Sequence, residues 1–178
     1  LNALLLSAYV AIRQGDAVGL QCFAGEHSRL APVKGEGGIN LLLNHVYDLH
    51  SGTAHSDYTA AAELLLARQQ RRALVILLTN LRDEDSEDLT AAVQQLSRHH
   101  LVMVACLRET SLDATLHKPV ADFDGALEHA ATRDLMLRRN RLLENLRARN
   151  TILADAEPAQ MHMSLVETYW QLKRSGML

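Results

Sequence analysis

Cysteine is scarce in this sequence, and its scarcity excludes a class. Cys22 and Cys106 both sit inside apolar runs, so they cannot supply the loop-borne framework of a small disulfide-stapled secreted domain. They read as buried, reduced thiols of a cytoplasmic protein. Long apolar runs are missing too. The longest uninterrupted one, Leu101 to Leu107, is, like Ala73 to Leu78, far too short to cross a bilayer. No succession of basic, apolar and small residues marks a signal peptide. Positive charge is not in excess: Lys and Arg number 18 against 21 Asp and Glu, a net charge of -3. The bases are scattered, so a nucleic-acid footprint is not expected.

Hydrophobic residues make up 48% and charged residues 22% of the chain, as in ordinary soluble globular proteins. A length of 178 residues suits one domain, residues 1–178, burying about 70% of its extended-chain surface. No repeat, low-complexity tract or linker divides it. The first residue is Leu1, already within a helical pattern. The chain therefore reads as the C-terminal portion of a longer protein, whose upstream part is open to a membrane anchor.

Helical and extended patterns alternate along the sequence. Leu5, Ala8, Tyr9 and Ile12 share one face of a first helix that Gly15 ends. Ala17–Ala24 reads as a strand, Gly25–His27 as a turn, and Ser28–Val33 as a hairpin partner that Pro32 confines to an edge. Lys34–Gly38 reads as a glycine-rich turn before a helix over Ile39–His50. A loop over Ser51–His55 follows, then a helix capped by Ser56 or Asp57 and running to Gln70.

Ala73–Thr79 and Leu101–Leu107 are continuously apolar, as befits strands buried on both faces in the middle of a mostly parallel sheet. Asp83–Asp88 opens a helix through Arg98. A loop reaches Ala121, a long helix spans Phe123–Arg149, Thr151–Ala154 is a short strand, and a last helix runs from Pro158 to Ser175. The expected fold is α/β, a Rossmann-like three-layer sandwich around a mostly parallel sheet.

Several segments in this order resemble one family: Gly15 to Leu20, Phe23, Leu30-Ala31-Pro32, Ser56-Asp57-Tyr58, Leu74 to Thr79, Arg98 to Val102, and Val166 to Leu178. The succession is similar to a bacterial family of von Willebrand factor A-like proteins, known only as domain of unknown function number fifty-eight. The resemblance implies a von Willebrand A fold and a MoxR-type AAA+ ATPase as partner. It also implies a first strand ending in Asp-x-Ser-x-Ser, which helps to hold Mg²⁺ and which would precede Leu1. Ser56-Asp57 would stand at the second metal loop and Thr79-Asn80 at the third, where the neutral Asn80 replaces an acid. The resemblance thus leaves no metal site in this chain, and Mg²⁺ only to a full-length parent.

A missing first strand would leave Ala17–Ala24 and Ala73–Thr79 flanking an empty slot, with unpaired backbone groups. Shifted strands, a swapped element or a second copy would close it. A homodimer is the expectation.

Other candidates have plainer readings. The acids Asp83, Glu84, Asp85, Glu87 and Asp88 suit a helix N-terminus, with Asp85 or Ser86 as cap. Lys34 to Gly38 fits neither a dinucleotide nor a Walker loop, and Glu36 would repel phosphate. His45, His50 and His55 are five apart and share no helix face, while His99-His100 closes a helix where a cation is favourable. No Gly-x-Ser-x-Gly elbow is present. Arg133, Arg138, Arg139, Arg141, Arg147 and Arg149 form a solvated face or dock an acidic partner.

Two functions follow as expectations. The first is a non-enzymatic interaction module, an adaptor or assembly factor for the ATPase, with contacts at Ser56, Asp57, Thr79, Asn80 and Asp83. The alternative is a phosphoryl-transfer enzyme with Asp57, Asp83 and Asp85 around Mg²⁺.

Overall fold

A Schellman turn closes the first helix, α1 (Asn2–Arg13). Gly15 takes φ +84°, and its N–H and that of Asp16 donate to the carbonyls of Ile12 and Ala11, satisfying two of the orphan acceptors at the helix end. The computed structural model describes the whole chain except residues 24–27, 48, 50–55, 82–84 and 150. The described residues form two compact units, Leu1–Ala73 with His162–Leu178, and Leu74–Met161. The fold is mixed α/β.

In the first unit, β1 (Val18–Gln21) pairs antiparallel with β2 (Arg29–Val33). Pro32 lies in this two-stranded sheet, where a missing donor is tolerated. Gly19 lets the strands approach, since a Cβ there would meet the Leu30 carbonyl at 3.1 Å. The helices are α1, α2 (Gly35–Tyr47), α3 (Tyr58–Arg68) and most of α7 (Met161–Arg174). Leu42 and Val46 of α2 bury against Ala8, with Leu5, Val18, Leu20 and Leu30 packed around them. Tyr9, expected on the buried face, is 45% exposed.

The glycine-rich segment is not a turn. Gly35 takes φ +71° and the helix begins there rather than at Ile39. Gly38 faces Val33 so closely that a Cβ would come within 3.1 Å of its side chain. Gly38 serves packing against β2, and there that need outweighs its low helix propensity.

In the second unit, β3 (Leu74–Thr79), β4 (Leu101–Leu107) and β5 (Ile152–Ala156) form a parallel sheet in the order β3-β4-β5. Helices α4 (Ser86–Leu96), α5 (Thr110–His117) and α6 (Phe123–Ala148) complete the unit. Leu89, Val93 and Leu96 of α4 and Leu142, Leu143 and Leu146 of α6 are buried, as are Val102 to Cys106 of β4.

One sheet expectation is corrected. Both apolar strands read as central, but only β4 is. Every residue of β3 is half-buried, since β3 has one strand neighbour among the described residues. An apolar run reports burial of side chains and leaves the number of strand neighbours open. The hairpin expected between the Ala17–Ala24 and Ser28–Val33 segments is present as β1 and β2, a local pairing whose closure costs less chain entropy than a long-range one.

Smaller differences have local causes. The segment read as a loop before Ala121 contains α5, which has no fully buried residue and only the half-buried pair Leu112 and Leu116 to betray it. The strand β5 runs past Ala154 to include Asp155. Residues 158–160 form a turn ahead of α7. No described helix is long and apolar enough to cross a membrane.

Candidate functional site

The carboxyl edge of a parallel sheet is where α/β folds gather reactive groups. Here in-register pairing sets Thr79 beside Cys106, and Cys106 beside Asp155. Neighbouring residues in register share a face of the sheet, so a hydroxyl, a thiol and a carboxylate form one row.

Asp155 is the charged centre of that row. Its side chain is 14% exposed, and Arg139 of α6 is 10% exposed. Arg139 Nη2 donates to Asp155 Oδ1 at 2.5 Å and Nη1 to Oδ2 at 3.3 Å. Arg108, just past β4, donates to the same Oδ2 at 3.3 Å, and its backbone N–H reaches the Ala156 carbonyl at 2.9 Å. Burial alone would raise the Asp155 pKa, but hydrogen bonds and charge from Arg139 and Arg108 outweigh it and hold the carboxyl below its ordinary range. Cys106 is fully buried, and burial pushes its thiol up to about 12 despite the nearby Arg139. A thiol in that state is a poor nucleophile and a poor metal ligand. The row holds a helix in place; it offers no activated group.

A second cluster ties α7 to the end of α1 in the first unit. The Tyr169 hydroxyl donates to Asp16 Oδ2 at 2.5 Å. Lys173 Nζ donates to the same oxygen at 2.8 Å and lies 3.1 Å from the Tyr169 hydroxyl oxygen.

The residues singled out in the sequence fall on both units. Asp57 caps α3, with Oδ1 accepting from the Ala60 N–H at 2.7 Å, which settles the cap in its favour over Ser56, a half-buried residue one position earlier. Thr79 ends β3, its hydroxyl donating to the Asn80 carbonyl at 3.1 Å, and Asn80 is exposed. Asp85 stands at the N-cap of α4, 7% exposed, without a side-chain cap bond. Asp83 and Glu84 lie outside the described residues, as do His50 and His55. Among the described residues no group of three or more His, Cys, Asp or Glu is placed to hold a metal ion.

The histidines need one correction. His100 is 5% exposed, and neither ring nitrogen has a hydrogen-bond partner among the described residues. Burial, and then the charge of His99, lower its pKa, so a cation is disfavoured where the helix end suggested one. His45 Nε2 meets Ser28 Oγ at 2.9 Å.

The functional clusters escaped the sequence because their members are far apart in the chain. Arg108, Arg139 and Asp155 carry no spacing motif, and Arg139 looks like any other arginine of a basic run. The one available signal was an aspartate directly after the apolar Ile152-Leu153-Ala154. A carboxylate continuing a strand into its buried end calls for a paired cation.

No curated protein and no solved structure matches the chain. The family described as "Protein of unknown function DUF58" matches residues 2–142, well over half of the sequence; the segment Val166–Leu178, read above as part of the likeness, lies beyond that span. The chain belongs to the DUF58 family.

Proposed function

We propose that the chain is a single von Willebrand A-like domain acting as a non-catalytic interaction module, an adaptor or assembly factor for a MoxR-type AAA+ ATPase. The observation that carries the non-catalytic part is the chemistry of the carboxyl edge. The groups aligned there are a hydroxyl, a buried thiol held protonated, and a carboxylate gripped by two guanidiniums. None is poised to donate, accept or attack. Family membership supports the von Willebrand A reading, and the ATPase partner rests on the resemblance read in the sequence.

The proposed contacts are exposed Asp57 with its half-buried neighbour Ser56 on one unit, and exposed Asn80 with half-buried Thr79 on the other; Asp83 belongs to the same proposal. Free Cys22 and Cys106 suit a reducing cytoplasm. No observation among the described residues favours the Mg²⁺-dependent phosphoryl-transfer alternative.

Binding of a purified MoxR-type ATPase to the immobilised chain tests this reading. Asp57→Asn keeps an N-cap acceptor while removing the charge, and Asn80→Ala removes an exposed amide. Weaker binding by either variant, with the circular dichroism spectrum unchanged, supports the assignment. Full binding by both, or none by the natural chain, overturns it.

A further inference from the structure

The described strand edges of this chain are guarded, with one exception. An edge strand offers unpaired N–H and C=O groups to another chain, and charge, proline, irregular register or shortness blunts that offer. Strand β2 carries exposed Arg29 and Pro32. Strand β1 is four residues long, with Gly19 and a register irregularity between Val18 and Leu20. Strand β5 holds Asp155, an inward charge gripped by Arg139 and Arg108. Strand β4 is paired on both sides and has no edge.

Strand β3 has none of these devices. Leu74 to Leu78 is free of charge, proline and glycine, and its register with β4 runs without a break. Among the described residues no second strand lies beside it. In a parallel pair the backbone groups of alternate residues point to opposite sides, so those not turned to β4 face outward along this edge. Side-chain burial agrees. Five of the seven residues of β4 are buried, whereas every residue of the equally apolar β3 is half-buried. This is the composition of a covered strand on an uncovered edge.

Whatever covers it must be extended, uncharged and apolar on both faces over Leu74 to Leu78. Among the described strands, β1, β2 and β5 fail on glycine, proline or charge, and β4 has no free side. Strand β3 itself fits. We propose that two copies of this chain pair edge to edge through antiparallel β3 strands, joining two three-stranded sheets into one. Centred on Ile76, the ladder sets Leu74 against the partner subunit's Leu78 and Val75 against the partner subunit's Leu77. Arg72 then falls opposite the partner subunit's Asn80, so no like charges meet across the ladder. The contact uses one edge twice about a two-fold axis and closes on itself. It gives the homodimer expected from the sequence a strand and a register, and it is independent of the ATPase reading.

Sedimentation of the 178-residue chain from micromolar to near-millimolar concentration, with hydrogen exchange at both ends of that range, tests the pairing. A single edge is small for a specific interface, so a reversible dimer should fill in toward the upper end. Outward-facing amides within Leu74 to Leu78 should then exchange about tenfold or more slowly than in the dilute sample, while those of β5 keep their rates. Ile76→Lys should give a monomer of unchanged circular dichroism. If that variant unfolds, the dilution comparison on the natural chain decides alone. A natural chain that stays monomeric overturns the proposal and leaves the edge to an extended segment of another protein. So does a dimer whose β3 amides gain no protection, a folded Ile76→Lys that dimerises as before, or assembly that continues past the dimer.

Discussion

Arg139 grips Asp155 through both terminal nitrogens, at 2.5 and 3.3 Å, with each side chain at least 86% buried. A pair this dry is asymmetric in its energetics. Intact, it adds little, since desolvation offsets attraction; broken, it leaves a buried charge alone. Arg139→Ala should therefore cost about 3–5 kcal/mol in urea unfolding, whereas Arg139→Met with Asp155→Leu should recover most of that loss. Because the Asp155 carboxyl sits below its ordinary pKa, its contribution is present above the unfolded value near 3.9 and fades as pH falls through the folded one. The double variant should lose less stability than the natural chain on acidification below about pH 4. Equal loss in the single and double variants would refute the pairing as the cause.

His100 gives the opposite kind of titration. Its ring is buried without a hydrogen-bond partner among the described residues and its pKa is lowered, so the unfolded chain takes up a proton near pH 6.5 while the folded chain does not. Stability is then full above about 6.5 and declines as pH falls toward the folded value. Melting temperature measured between pH 7.5 and 5 should drop, and His100→Leu should flatten that slope. An unchanged slope in the variant would assign the decline to another group.

The alternation of strand and helix was legible because apolar runs and glycine ends are local signals. Gly15 illustrates this: a glycine after Gln14 predicted a helix end, and its positive φ supplies one. What was not legible depends on partners. Gly35 to Gly38 has the composition of a turn, and the close packing of Val33 on Gly38 depends on a strand that no local pattern places beside it. Leu74 to Leu78 is as apolar as the central strand, yet among the described residues it has one strand neighbour, because sheet order is set by long-range pairing. Helix α5 has no fully buried residue, and the half-buried pair Leu112 and Leu116 is too short a period to declare it in the sequence. Asp57 was legible as a cap because capping acts over three residues. The grip on Asp155 joins residues separated by 16 and 47 positions, and no short motif records it.

Tyr169 and Lys173 compete for one oxygen of Asp16, and their exposures decide which matters more. Asp16 is 42% and Lys173 30% exposed, so water screens the ion pair and Lys173→Met should cost less than about 1 kcal/mol. Tyr169 is 6% exposed, and its hydroxyl donates to a charged acceptor, so Tyr169→Phe should cost about 1 kcal/mol or more even though the freed carboxylate can rehydrate. Burial, and then the bond to Asp16, raise the Tyr169 pKa, so its contribution persists below about pH 10 and is lost as pH rises through the folded value. Hydrogen exchange should then show faster opening of the last turns of α7 in Tyr169→Phe than in Lys173→Met at neutral pH. In the natural chain those turns should open faster above about pH 10. Were the lysine variant the more labile of the two, the screened ion pair, not the buried hydroxyl, would be what ties α7 to the end of α1.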